Sequence, residues 1–248
     1  MDGDRFDQAL AAVADVPGWL SDAQARRLWV RAASLEAPGQ VVEIGSYRGR
    51  SAVVLARAAR EGVRVTAIDP HAGNDRGPQQ IEGTPDEGEN DHEAFLANLD
   101  RAGISEKVRH VRLPSHDALS EVNGTIDVLY VDGAHRYGPA RSDIARWGER
   151  VGAGGTLLIH DSFSSIGVTL AIIRLLAFGS SFEYVGRSGS LAEYRREDLA
   201  GARRARNAAH QVAQLPWFVR NVAVKLAIVA RLRPLARLLG HRSGDWPY

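Results

Sequence analysis

The 248-residue chain has no cysteine, one methionine and only two lysines, Lys107 and Lys225. Without a thiol there is no disulfide, no cysteine-ligated zinc or iron–sulfur cluster and no thiolate nucleophile. Any metal must therefore be held by Asp, Glu, His or backbone oxygen. No run of about 18 uncharged apolar residues is present, so no segment is expected to span a membrane. The opening MDGDRFDQAL is acidic, whereas a secretory signal needs a basic start and an apolar stretch. A cytoplasmic location is the resulting expectation.

What is present is ordinary in total and uneven in distribution. Hydrophobic residues make up 44% and charged residues 25%, as in a soluble globular protein. The net charge of +1 is the sum of two unlike regions. Residues 202–248 hold nine basic side chains and one acid, net +8, against 22 basic and 29 acidic groups in the rest, net −7. An acidic body with a basic tail suggests separate jobs for the two.

Helical spacing of apolar residues over 22–35, with Ser21 as N-cap, predicts a helix. A regular alternation follows: strands at VVEIG (41–45), VRVTAID (63–69), VRHVRL (108–113), IDVLYVD (126–132) and GTLLIHD (155–161). Helices are expected at 51–60, 91–103, 137–147 and 167–179, a long acidic loop at 70–90, and a closing hairpin around Gly189. Consecutive apolar positions in VLYV and TLLI suit strands buried on both faces. The expected fold is α/β: a Rossmann-like doubly wound sheet, mostly parallel, with a C-terminal antiparallel hairpin and helices on both faces. It divides into a helical cap (1–36), a central domain (37–200) and a basic amphipathic helical tail (201–248).

Such sheets bind ligands beyond the carboxyl ends of their strands. The first strand runs through Glu43, Gly45, Ser46, Gly49 and Ser51 into a helix. The glycines allow a sharp turn and close backbone approach, and the helix start offers N–H groups. Asp69, at the end of the next strand, can accept the hydroxyls of a ribose. The spacing G-x-x-x-G is neither the nicotinamide fingerprint nor a P-loop. VVEIGSYRGRSAVVLA resembles the first motif of class I S-adenosylmethionine-dependent methyltransferases. It is most similar to the metal-dependent O-methyltransferases of the catechol and caffeoyl type and of the bacterial sugar and macrolide type, over roughly residues 17–195. The resemblance implies that Glu43, Gly45 and Ser51 contact the methionine end of S-adenosyl-L-methionine, with Ser46 and Gly49 also among the cofactor-binding residues. It places Asp69 on the ribose, and Ser115 with His116 near the adenine.

Two further strand ends carry Asp132-Gly-Ala-His135 and His160-Asp161. Carboxylates and imidazole converging at neighbouring strand tips would suit a hard divalent cation, Mg²⁺ by default and Mn²⁺ as the alternative. A neutral alcohol is a poor methyl acceptor; coordination lowers its pKa and a nearby base removes the proton. By the resemblance, Asp132, His160 and Asp161 fall on the metal-ligand positions and His135 on the catalytic base. His160 departs from the Asp or Glu usual there, so it stands either on the metal or beside it. His71, His92 and His110 are read as solvated or structural, and Tyr137 as packing.

The expected activity is O-methylation of a hydroxyl on a sugar or sugar-containing natural product, with methylated mannose polysaccharides as one narrower class. A phenolic acceptor is the alternative. A nucleic-acid methyltransferase is suggested only by the tail: no Asn-Pro-Pro-Tyr motif and no cysteine for pyrimidine attack are present. A non-catalytic, membrane-associated cofactor-binding protein is the remaining reading. Loop 70–90 is expected to close as a lid. In the tail, Phe218, Val222, Leu226 and Val229 form an apolar stripe. It would pack on the body or a second subunit of a homo-oligomer, lie on an anionic membrane, or meet an acidic partner.

Overall fold

The computed structural model describes residues 2–73 and 83–241. It opens with α1 (Asp2–Ala12) and α2 (Asp22–Ala33). Ser21 caps α2 in a reciprocal capping box with Gln24, as its position before the periodic run predicts. Then come β1 (Gly39–Ile44), α3 (Arg50–Ala58), β2 (Val63–Ile68), α4 (Pro85–Arg101) and β3 (Val108–Val111). β4 (Ile126–Val131), α5 (Tyr137–Gly148), β5 (Val151–Ile159) and α6 (Ile166–Ile172) follow, and α6 runs on into a π-helical turn over Ile173–Ala177. The hairpin β6 (Phe182–Ser188) and β7 (Leu191–Arg196) precedes α7 (Gly201–Val212), α8 (Leu215–Val229) and α9 (Arg233–Leu238).

The seven strands lie in the order β3-β2-β1-β4-β5-β7-β6. β1 to β5 are mutually parallel, and β7 joins β5 antiparallel, with Leu157 opposite Tyr194. This is the Rossmann-like sheet expected from the alternation. Strand order reverses between β1 and β4, so the crevice of a doubly wound sheet should open above these two strands. One face packs on α1, α2, α3 and α4 through residues such as Leu28, Trp29, Leu55 and Phe95. The other packs on α5 and α6 through Ile144, Trp147, Phe163 and Ile172.

The expected loop 70–90 is shorter than the sequence suggested. Thr84 caps α4, its side chain accepting from the Glu87 amide while the Glu87 carboxylate returns to Thr84, so residues 85–90 are helix. Asp86, Glu87 and Glu89 are helical first-turn and second-turn residues there, while Asp75 and Glu82 lie outside the described residues. The tail breaks where its prolines stand, with Pro216 and Pro234 in the first turns of α8 and α9.

Only part of the tail's apolar stripe packs on the body, where Phe218 meets the core. Asn221, Val224 and Ala227 are the buried residues of α8. Leu226 and Val229 of the expected stripe point outward, and Phe218 and Val222 are half-buried. The helix is apolar around most of its circumference, so periodicity alone could not say which side faces the body.

Candidate active site

The β1–α3 turn is built around Gly45, whose φ of 85° lies in the left-handed region. A Cβ there would come within 2.1 Å of the Asp132 carbonyl oxygen. The close approach brings the ends of β1 and β4 together, and Asp132 N–H donates to the Ile44 carbonyl at 2.8 Å. Asp69, beyond β2, ties this turn to its own. Its two carboxylate oxygens accept from the backbone N–H of Tyr47 and of His71, each at 2.8 Å. Tyr47 and His71 both hold left-handed backbones, with φ of 46° and 47°. Non-glycine residues seldom adopt that region, and such strain concentrates at functional sites.

Behind the turn, Glu43 is fully buried against α3 and accepts a short hydrogen bond from Ser51 Oγ. Its second oxygen, Oε2, is buried without a hydrogen-bond partner among the described residues. Burial outweighs the Ser51 hydrogen bond and pushes this carboxyl up to about 8, helped by the neighbouring carboxylates of Asp132 and Asp69.

The second half of the site stands at the tips of β4 and β5. Asp132 is oriented by Tyr130, whose buried hydroxyl donates to Oδ2 at 2.7 Å. Asp161 is buried, with φ of 53°. His135 Nε2 lies 2.9 Å from Asp161 Oδ2, and His160 Nδ1 lies 3.2 Å from Asp132 Oδ1 and 3.4 Å from Asp161 Oδ2. Burial disfavours charge on both imidazoles, but Asp161 and Asp132 overcome it. His135 is raised above its ordinary value and His160 well above. Asp161 is held well below the usual carboxylate range despite burial, by His160 and His135. The two carboxylates thus draw positive charge to one point. The loop of His135 is fixed from α6: a Cβ on Gly167 would meet the His135 carbonyl at 2.2 Å, and Ser165 Oγ donates to that carbonyl at 3.3 Å.

Both halves face one cavity of about 400 Å³. Of the residues singled out in the sequence, Gly45, Asp69, Ser115, His116, Asp132, His135, His160 and Asp161 line it. Glu43, Ser46, Gly49 and Ser51 are not in its wall; Glu43 and Ser51 pair behind the turn, and Gly49 starts α3. Tyr137 is exposed and does not line it either.

The geometry also adds residues that sequence reasoning missed. Trp19 and Tyr47 flank the cavity with ring centroids 5.8 Å apart. Asp143 of α5 accepts from Ser115 Oγ at 2.5 Å, and burial pushes it up to about 6 against that hydrogen bond. Trp147 Nε1 donates to the Ser115 carbonyl at 3.1 Å, fixing the same loop. Their helical spacing reads as the buried face of α5, and no local signal marks Asp143 as a cavity residue. His71 belongs with them: it lines the cavity and stacks in a triangle with His92 and His110, centroids 5.1–5.2 Å apart.

The donor set fits a divalent cation. One ligand atom each from Asp132, His135 and Asp161 falls within 4.8 Å of the others, and Asp161 Oδ1 and His160 Nε2 are buried without hydrogen-bond partners among the described residues. Oxygen with one or two imidazoles suits Mg²⁺ or Mn²⁺. The other end of the cavity fits a nucleoside cofactor, with an acid at the β2 tip, a close-packed glycine turn and a polar wall at Ser115 and Asp143.

Residues 42–162 match the family model of a methyltransferase domain. That span runs from β1 through Asp161 and so includes both halves of the cavity. Similar folds occur among solved structures. The O-methyltransferase NovP aligns with a TM-score of 0.60 at 16% identity, covering 79% of this chain and 99% of NovP. An O-methyltransferase from Bacillus cereus, in complex with SAH, aligns with a TM-score of 0.52 at 17% identity over 78% of this chain and 91% of its own. TomG from Streptomyces achromogenes, an O-methyltransferase of tomaymycin synthesis in complex with SAM, gives 0.50 at 18% identity over 80% and 90%. The matched region is thus similar to a methyltransferase domain, and the fold is shared with these enzymes.

Proposed function

We propose that the chain is an S-adenosylmethionine-dependent O-methyltransferase that uses a divalent metal to methylate a hydroxyl of a sugar or sugar-containing natural product. One observation carries the reading. The Asp132–His135–Asp161 cluster opens into the same cavity as Gly45 and Asp69. A methyl donor and an acceptor bound at its two ends would meet between them.

In this reading Asp69 holds the ribose hydroxyls, and Ser115, with Asp143 behind it, faces the adenine. Gly45 lets the backbone approach the methionine end, and Glu43 supplies an unpaired oxygen behind it. S-adenosylmethionine would supply an activated methyl group. A metal held by Asp132 and Asp161, with His160 on it or beside it, would acidify and orient the acceptor hydroxyl. His135 takes the hydroxyl proton. Asp161 fixes its ring through Nε2, leaving Nδ1 as the nitrogen able to accept, and raises its basicity. Tyr130 keeps Asp132 from rotating away. Trp19 and Tyr47 offer aromatic faces at the cavity, the kind of surface on which a sugar ring stacks.

The test is transfer from labelled S-adenosylmethionine to a panel of sugars, phenols and RNA, with and without chelator. Label on sugar hydroxyls that chelator abolishes is the expected result. Transfer to RNA, or transfer undiminished after complete metal removal, overturns the reading; label confined to phenols replaces the acceptor class.

A further inference from the structure

We infer that the outer face of α8 and α9 is a docking surface for an anionic lipid bilayer. α8 has two faces of different character. Its inner face is stitched to the body: Asn221 Nδ2 donates to the Phe163 carbonyl at 3.2 Å, and Lys225 Nζ to the Ser164 carbonyl at 2.9 Å. Val224 and Ala227 are buried between them. On the opposite side Val219, Leu226 and Val229 recur at spacings of seven and three, which puts them on one face, and each is more than 60% exposed. Leu232 in the turn and Leu235 and Leu238 of α9 are exposed as well, with Leu238 at 83%.

The charge around this surface names its partner. From residue 199 to residue 244 the chain carries no Asp or Glu. Exposed Arg231 and Arg237 stand among the exposed leucines. A two-fold contact between copies through this face would set basic residue against basic residue, because such an interface presents the same patch twice. A bilayer with anionic headgroups accepts both the leucine and valine side chains and the guanidinium groups.

Lying on the surface, rather than crossing it, follows from the inner face. The helical segment Gly201–Val229 is long and apolar enough to cross a membrane by length and composition. Its polar side chains are nevertheless committed to the body. Asn207 accepts from the Tyr184 amide at 2.7 Å and donates to the Phe182 carbonyl at 3.0 Å, and Gln211 donates to the Leu176 carbonyl at 3.2 Å. Crossing would break these bonds and leave their groups unpaired in hydrocarbon.

Flotation of the full chain with phosphatidylcholine vesicles, with and without phosphatidylglycerol, tests the assignment. Binding should need phosphatidylglycerol and be lost at high salt. Leu226→Glu with Val229→Glu should abolish it, and Arg231→Ala with Arg237→Ala should weaken it by about tenfold or more. All four positions are exposed, and an unchanged melting temperature confirms that the variants fold. Equal binding to neutral vesicles, or wild-type binding by both variants, overturns the proposal. So does absence of vesicle binding together with a dimer in sedimentation that Leu226→Glu with Val229→Glu dissociates, which would make the face a subunit contact.

Discussion

His135 Nε2 lies 2.9 Å from Asp161 Oδ2, and the two residues come from loops after neighbouring parallel strands. The pair makes His135 a stronger base and fixes which nitrogen is left free. His135→Ala should lower turnover by about 10²- to 10⁴-fold, the range for losing a general base. Affinity for S-adenosylmethionine, measured by calorimetry, should stay within about twofold, since such losses separate catalysis from cofactor binding. Because Asp161 raises His135, wild-type turnover should fall on acidification as the ring becomes protonated, and the variant should lack that limb. Substantial turnover with an unchanged pH profile would assign the base elsewhere.

The clustered charges should also bind metal in the absence of acceptor. Excess Mg²⁺ or Mn²⁺ should raise the melting temperature of the wild type by about 5 °C or more, by mass action on the folded state. Asp161→Asn should lose most of that shift, because Asp161 is one of the cluster's two carboxylates. His160→Ala separates the two roles left open for this residue. An unchanged metal shift would place His160 beside the ion, and a lost one would place it on the ion. A wild type that does not respond to either metal would remove metal assistance from the mechanism.

Gly45→Ala probes the contact that joins the two halves. The new Cβ would meet the Asp132 carbonyl at 2.1 Å on a backbone with φ of 85°. The penalty should exceed about 1 kcal/mol in urea unfolding, the scale for alanine at a left-handed position. Cofactor affinity should fall with it. Asp69→Ala should instead weaken cofactor binding by about tenfold or more, the scale for hydrogen bonds to a charged group. Unchanged affinity would undo the ribose assignment.

The parts of this site that were legible in the sequence are local ones. Gly45, Asp69, Asp132 and Asp161 stand at strand ends, and alternation of strands and helices is enough to bring such ends together. Ser21 and its capping box are likewise written in four consecutive residues. The partners that tune the site are not local. Ser115 meets Asp143 across 28 positions, and Gly167 presses on His135 across 32. Tyr130 was readable only as an apolar strand residue, although its hydroxyl holds Asp132. The start of α4 was missed for a different reason. Pro85, Asp86, Glu87 and Gly88 have a loop-like composition, but three of them are what a helix's first turn accepts, with proline where no amide is needed and acids near the positive end of the dipole.

The histidine triangle beside Asp69 gives the last prediction. His110 faces the rings of His71, His92 and Phe95, with Arg112 nearby and the Asp69 backbone as its hydrogen-bonding neighbour. Burial, the other two imidazoles and Arg112 lower it from 6.5 to about 4, against the Asp69 backbone contact. Burial likewise lowers His71, with Asp69 opposing. The folded protein therefore disfavours protonation of His110 and His71, whereas the unfolded chain protonates them near 6.5. Between about pH 6.5 and pH 4 the unfolded state binds more protons, so the stability present above 6.5 is lost as pH falls through that window. Urea midpoints from pH 7 to pH 4.5 should decline more steeply for the wild type than for His110→Asn, which removes one of the titrating rings. Since the His71 backbone N–H donates to Asp69 and His71 lines the cavity, cofactor should protect the wild type against this acid loss. Parallel declines of wild type and variant would mean that the cluster does not couple protonation to folding.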